Sequence, residues 1–242
     1  MPSADKAAYA SLVDELLRLR THRPRAILAD PPWQFTNRTG KMAPEHRRLH
    51  RYPTLTLDEI RDLPVDRVAG DRAHLYLWVP NALLREGLLV MESWGFSYKC
   101  NLVWYKIRKD GGPDRRGVGF YFRNVTELVL FGVRGKNNRT KPPGRTQPNV
   151  VVCRKREHSR KPDELYGIIE QCSPGPYLEL FARYRRPGWL QLGDEVGRPR
   201  ASLHRAYSAQ LNLIAGDLAL ATSSDHDWTA ALLSGQESVH EA

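Results

Sequence analysis

The sequence predicts an α/β domain with a doubly wound, mostly parallel sheet. Short apolar runs of strand length recur along it, bounded by Gly, Pro or polar residues. Segments with helix start and stop signals lie between them, and that alternation implies parallel strands. A length of 242 residues with 41% hydrophobic content suits one such core with some decoration.

Ala7 to Arg20 reads as an amphipathic helix with Leu12, Leu16 and Leu17 on one side. Arg25 to Ala29 is a buried parallel strand, followed by Asp30-Pro31-Pro32-Trp33 and a polar loop to Pro53. Thr56, with Glu59 three residues on, has the capping-box pattern of a short helix. Ala73 to Val79 is the second strand, ended by Pro80. Asn81 is expected to cap a helix that runs to Trp94 and stops at Gly95. Tyr98 to Lys106 is the third strand and Glu127 to Val133 the fourth. Between them, Gly111, Gly112, Gly117 and Gly119 lie outside any strand-turn-helix setting, so this loop is read as a mobile lid rather than a dinucleotide fingerprint. Lys136 to Pro148 is an irregular basic loop, and Val150 to Arg154 is extended. Pro162 is placed at the first position of a helix ending at Cys172, which packs that helix end. Tyr177 to Phe181 and Leu190 to Gly193 complete the strands. The expected division is an N-terminal helix (1–24), a core domain (25–196) and a helical appendage (197–242). In the appendage, Leu211, Ile214, Leu218 and Leu220 suggest packing or a dimer contact.

Net charge is +10. From Ala201 onward one Arg faces five acids, so the first 200 residues carry about +14. The cations gather in loops: Lys41 to Arg51 with Arg47, Arg48 and Arg51; Lys106 to Arg123; Arg134 to Arg145; and Arg154 to Lys161. Four basic loops favour a polyanion partner over a merely solvated surface. No apolar stretch reaches the roughly 20 residues of a membrane span. Cys100, Cys153 and Cys172 are odd in number and far apart, which points to a reducing cytoplasm. His46, His50 and His158 have no metal spacing, so no metal is expected.

Asp30 to Trp33 sit where a parallel strand gives way to a loop, which is where open α/β sheets bind ligands. The sequence suits a planar amine. Asp30 can accept one hydrogen bond from an exocyclic NH2, and the Pro31 carbonyl can accept the second. Trp33 offers a face on which a base could stack. Trp104 and Tyr121 are weighed as core or wall residues against base stackers.

Three further motifs come in order along the chain. They are His158-Ser159-Arg160-Lys161-Pro162-Asp163, then Ser173-Pro174-Gly175 with Tyr177 to Arg183, then Trp189 to Leu192 with Gly193-Asp194-Glu195. Together with Asp30-Pro31-Pro32-Trp33, this order resembles the MT-A-type adenine-N6 methyltransferases across residues 25–196, the bacterial branch above all. The resemblance implies a Rossmann-like methyltransferase fold with circularly permuted motif order, S-adenosylmethionine as methyl donor and adenine N6 as acceptor. It implies that Asp30, Pro31, Pro32 and Trp33 are the catalytic tetrad, with Asp30 also at the donor. Lys161, Arg183, Asp194 and Glu195 fall at donor-binding positions, and Tyr52, Trp104, Lys106 and Glu127 at the acceptor pocket. Asp194 departs from the Asn of many members and, when ionised, can only accept hydrogen bonds. Asp14, inside a predicted helix, is not carried over as a donor contact.

The expected substrate is DNA, with RNA adenosine as alternative. A catalytically inactive nucleic-acid-binding subunit is disfavoured by the intact Asp30–Trp33 and Lys161, and a protein glutamine methyltransferase by Asp30 and the basic surface. Arg47, Arg48 and Arg51 are candidate phosphate contacts. A core of this size has little room for a dedicated recognition domain, so recognition is expected from loops, a second protomer or a protein partner.

Overall fold

The computed structural model describes residues 3–34, 54–114, 121–154 and 161–193. The expectations for Arg47, Arg48, Arg51, Tyr52, His158, Asp194, Glu195 and the appendage after residue 197 lie outside these residues, as does 115–120 of the proposed lid.

Among the described residues, seven strands form one sheet: β1 (Ala26–Ala29), β2 (Ala73–Val79), β3 (Ser97–Ile107), β4 (Thr126–Arg134), β5 (Val150–Arg154), β6 (Tyr177–Leu180) and β7 (Trp189–Leu192). Their order is β5-β3-β4-β2-β1-β6-β7. Every pairing is parallel except those that β4 makes with β2 and β3. The sheet is therefore mostly parallel, and β4 starts at the edge where the other strands end. The chain goes from β1 to β2 on one side and later returns to set β6 against β1 on the other. That reversal opens a crevice at the carboxyl ends of β1 and β6, the usual ligand position in such sheets.

Both faces of β1 are buried, which explains its unbroken apolar sequence. Ile27 and Ala29 join Leu75, Leu77, Val79 and Leu130 in one core layer. That layer is covered by α1 (Ser3–Arg18), α2 (Leu57–Arg61), α3 (Val65–Val68) and α4 (Leu84–Ser93) through Leu16, Ile60, Val65, Val68, Val90 and Met91. Ala26 and Leu28 face the other layer with Tyr76, Trp78, Trp104 and Val129. There, α5 (Glu164–Cys172) packs through Leu165 and Ile169. The first helix follows its predicted amphipathic pattern: Leu16 is fully buried, and Leu12 and Leu17 pack against the core. Asp14 is exposed on that helix.

The Thr56 capping box forms. The Glu59 amide donates to Thr56 Oγ1 at 3.3 Å, and the Thr56 amide donates to Glu59 Oε2 at 2.8 Å. Asn81 makes no cap. A 3-10 turn over Asn81–Leu83 precedes α4, and Asn81 Nδ2 instead donates to the Thr126 carbonyl at 3.2 Å and to Asn124 Oδ1 at 3.4 Å. The side chain thus ties the end of β2 to the entry of β4. The α5 helix begins two residues after Pro162, with Asp163 at its cap. Its other end is fixed by a buried network in which Ser173 Oγ lies 2.8 Å from His74 Nδ1 and 2.7 Å from Tyr76 Oη. β6 is one residue shorter than expected, because Phe181 adopts a left-handed conformation (φ 62°) and turns the chain out of the sheet.

Candidate active site

The carboxyl edge of the sheet gathers four charged side chains from four segments. Asp30 leaves β1, Lys106 lies near the end of β3, Glu127 near the start of β4, and Lys161 just ahead of α5. Only the reversed direction of β4 brings a strand-start residue to this edge. Glu127 Oε1 accepts a hydrogen bond from Lys106 Nζ at 2.6 Å, and its Oε2 accepts one from Lys161 Nζ at 2.8 Å. Lys161 Nζ lies 3.5 Å from Asp30 Oδ1. The result is one ionic chain, Asp30–Lys161–Glu127–Lys106, with two charges of each sign.

Two indoles support it. Lys161 Nζ sits over the Trp78 ring at 4.5 Å from the centroid, and Lys106 Nζ over Trp104 at 4.9 Å. The rings meet edge to face at 6.0 Å. Trp78 was not expected at the site, although its place at the end of a buried strand was the available signal. Its ring is 2% exposed, and Nε1 has no hydrogen-bond partner among the described residues. An unmet buried donor costs roughly 1–3 kcal/mol and calls for an explanation. Here it lies beside the ionic chain. Trp104 is a buried wall of the site, 3% exposed.

Burial dominates the protonation of Asp30. It raises the carboxyl above its ordinary value, while Lys161 draws it back only in part. Burial also pushes Glu127 up, but Lys161 and Lys106 outweigh it and hold that carboxyl down to about 2. Lys161 is raised, because Asp30 and Glu127 overcome its desolvation. Glu127 is thus the firmly ionised member, and Asp30 is the acid whose charge the protein supports least.

The turn after β1 is pinned by backbone hydrogen bonds. The Trp33 amide donates to the Pro31 carbonyl at 2.8 Å, and the Leu55 amide donates to the Pro32 carbonyl at 3.0 Å. The Pro31 oxygen retains a second lone pair. Trp33 corrects an expectation. It is 6% exposed, sits in the core layer and donates from Nε1 to the Trp78 carbonyl at 3.0 Å. Its faces are taken by packing, so it anchors the turn rather than offering a surface to a base.

Arg183 lies three residues beyond β6, the strand paired with β1. The segment that carries it is clasped to the start of α5. Arg186 stacks 3.6 Å from the Tyr166 ring centroid and donates to Asp163 Oδ1 at 3.0 Å. The two segments that carry Lys161 and Arg183 are thereby held together.

Residues 24–195 match the model of the MT-A70 family. The chain belongs to the MT-A70 family. Among MT-A70 relatives, it is 34% identical over 177 residues to the N(6)-adenosine-methyltransferase catalytic subunit METTL3 of Homo sapiens, covering 70% of this chain and 28% of that protein. It is 32% identical over 178 residues to the N(6)-adenosine-methyltransferase MT-A70-like protein of Arabidopsis thaliana, covering 72% of this chain and 24% of that one. It is also 30% identical over 213 residues to the Type II methyltransferase M.MunI of Mycoplasma sp, covering 80% of this chain and 87% of that protein. The chain therefore spans little more than a quarter of the METTL3 relatives and most of M.MunI.

Proposed function

We propose that this MT-A70 protein transfers a methyl group from S-adenosylmethionine to N6 of adenine in DNA. The carrying observation is the placement of Asp30, with the Pro31 carbonyl beside it, at the crevice between β1 and β6 within an ionic chain that includes Lys161. DNA is the preferred acceptor, because the match covering most of both chains is to a Type II methyltransferase. The adenosine methyltransferases share a smaller part of their length.

The residues present fit the donor. Asp30 suits a cationic centre, Lys161 suits the carboxylate of an amino-acid moiety, and Arg183 stands at the exit of the neighbouring strand. The unmet Trp78 Nε1 offers a buried hydrogen bond beside them. Asp194 and Glu195 are proposed to complete this side, and Tyr52 the acceptor side. When bound, S-adenosylmethionine supplies an electrophilic methyl group on a sulfonium.

The chain's own residues deal with a poor nucleophile, since the lone pair of an adenine amine is delocalised into the ring. Asp30 accepts one N6–H and the Pro31 oxygen accepts the other, favouring a tetrahedral nitrogen with a localised lone pair. As positive charge develops on N6, the Asp30 carboxylate stabilises it in a partly dry site. Asp30 and Glu127 together balance the charges of Lys161 and Lys106, so the ionic chain carries no net positive charge to oppose that on N6. The pinned Pro31–Trp33 turn fixes the two acceptors and supplies orientation. The methylated nitrogen then releases its proton to solvent. A duplex adenine must be flipped out to reach such a site, or be unpaired already.

The test is to incubate the purified protein and Asp30→Ala with methyl-labelled donor and, separately, unmethylated DNA and RNA. The expected result is N6-methyladenine in DNA, reduced by about a hundredfold or more in a folded Asp30→Ala variant. Label in RNA alone would transfer the function to RNA adenosine. Near-normal turnover by the variant would overturn the mechanism.

A further inference from the structure

Two aromatic side chains on the segment that leads into β4 stand in solvent. Tyr121 is 94% exposed and Phe122 is 86% exposed, the highest values among large apolar residues in the described parts. Neither belongs to a core layer. Aromatic rings of this size would be expected to bury most of their surface.

The residues immediately downstream are anchored and limit how far the pair can lie from Glu127. Asn124 and Thr126 are held by Asn81, and the Lys106 amide donates to the Val125 carbonyl at 2.9 Å. Phe122 is five residues from Glu127, so their Cα atoms are at most about 18 Å apart. A nucleic acid strand advancing about 3.4 Å per nucleotide covers that span in roughly five nucleotides.

The surroundings are cationic. Arg123 is adjacent. Arg108 and Lys109 lie on the opposite limb of the loop, where Arg154 Nη2 donates to the Lys109 carbonyl at 3.2 Å. Of the acids there, Asp110 is paired with Arg108 at 2.8 Å and Asp114 is buried. Aromatic faces set among positive charges are the composition that holds unpaired bases: cations follow the phosphates while bases stack on the rings.

We propose that Tyr121 and Phe122 form a stacking platform for unpaired bases that flank the target adenine. The platform presupposes the methyltransferase function proposed for this site and extends it to the neighbouring nucleotides. Stacking is tolerant of base identity and of the sugar, so the platform adds affinity with little sequence preference.

The test uses the full chain and binding without turnover. Fluorescence anisotropy of a labelled single-stranded DNA is compared for the wild type, the Tyr121→Ala/Phe122→Ala double variant and a Tyr121→Phe/Phe122→Trp variant, across a salt series. Donor binding is followed by calorimetry, and oligomeric state by sedimentation. The expected result is about tenfold or more weaker DNA binding in the alanine variant, with near-normal binding in the aromatic variant. The salt slope, donor affinity and oligomeric state should stay unchanged. Equal DNA affinity in the wild type and the alanine variant would overturn the platform and leave the methyltransferase reading intact. A change of oligomeric state in the alanine variant would make the pair a protein interface and overturn the proposal. A wild type that binds the donor but no polynucleotide would overturn both readings.

Discussion

Glu127 places two lysines on one carboxylate, and this has a measurable consequence at the scale of the residue. Its pKa is about 2 in the folded protein against an ordinary 4.5. A carboxyl lowered on folding contributes stability that is fully present above its unfolded value and is lost as pH falls toward its folded value. The window is therefore from about pH 4.5 down to about 2, and the effect is on the order of 2–3 kcal/mol. Asp30 runs the other way, since its raised pKa favours the folded state when protonated. Urea midpoints measured from pH 7 to pH 2.5 should fall less steeply in this window for Glu127→Gln than for the wild type. Parallel curves would show that the Glu127 contacts contribute nothing in solution. Sequence motifs point to Asp30, Lys106, Glu127 and Lys161 one at a time. Their linkage is not legible there, because it depends on β4 running against its neighbours. Trp33 departs from expectation for a similar reason: the carbonyl that receives its indole N–H belongs to Trp78, 45 residues away.

At the scale of elements, the clasp between α5 and the segment after β6 ties together the segments that carry Lys161 and Arg183, the proposed donor residues. Arg186 and Asp163 are 16% and 13% exposed at their side chains, so their ion pair is largely withdrawn from water. Removing one partner of such a pair typically costs about 3–5 kcal/mol, because the other charge stays buried. Arg186→Leu should lower stability by an amount of that order and weaken donor binding. Adding Asp163→Asn should recover part of the stability, as a double-mutant cycle in urea would show. Additive losses would mean that the two side chains do not act as a unit. Element identity is largely legible in the sequence. The apolar runs at 25–29 and 73–79 form strands buried on both faces, and Thr56 with Glu59 caps a helix as their spacing implies. The ends are less legible. Asn81 has the chemistry of a cap, yet a tertiary partner, Thr126, takes its side chain. Phe181 continues an apolar run, yet its backbone leaves the sheet.

At the scale of the molecule, the net charge of +10 is the property that would govern an encounter with the proposed DNA substrate. Each phosphate neutralised on duplex DNA contributes about −0.9 to the slope of log affinity against log salt. Substituting Arg47, Arg48 and Arg51 together by Gln should weaken DNA binding and reduce the slope magnitude by up to about 3. An unchanged slope would assign the phosphate path to the other basic loops.

The reversed β4 strand also separates two kinds of change. Its ladder with β3 runs from Ser97 to Tyr105, and both ends of the 108–125 connection emerge at the reactive edge. The β3–β4 ladder pairs Trp104 with Glu127, so the register of Glu127 is set by the strands and not by that connection. Under the proposed function, the surroundings of a target base would thus be carried by a loop separate from the ladder that positions Glu127, so that target choice could change by loop replacement without disturbing the ionic chain.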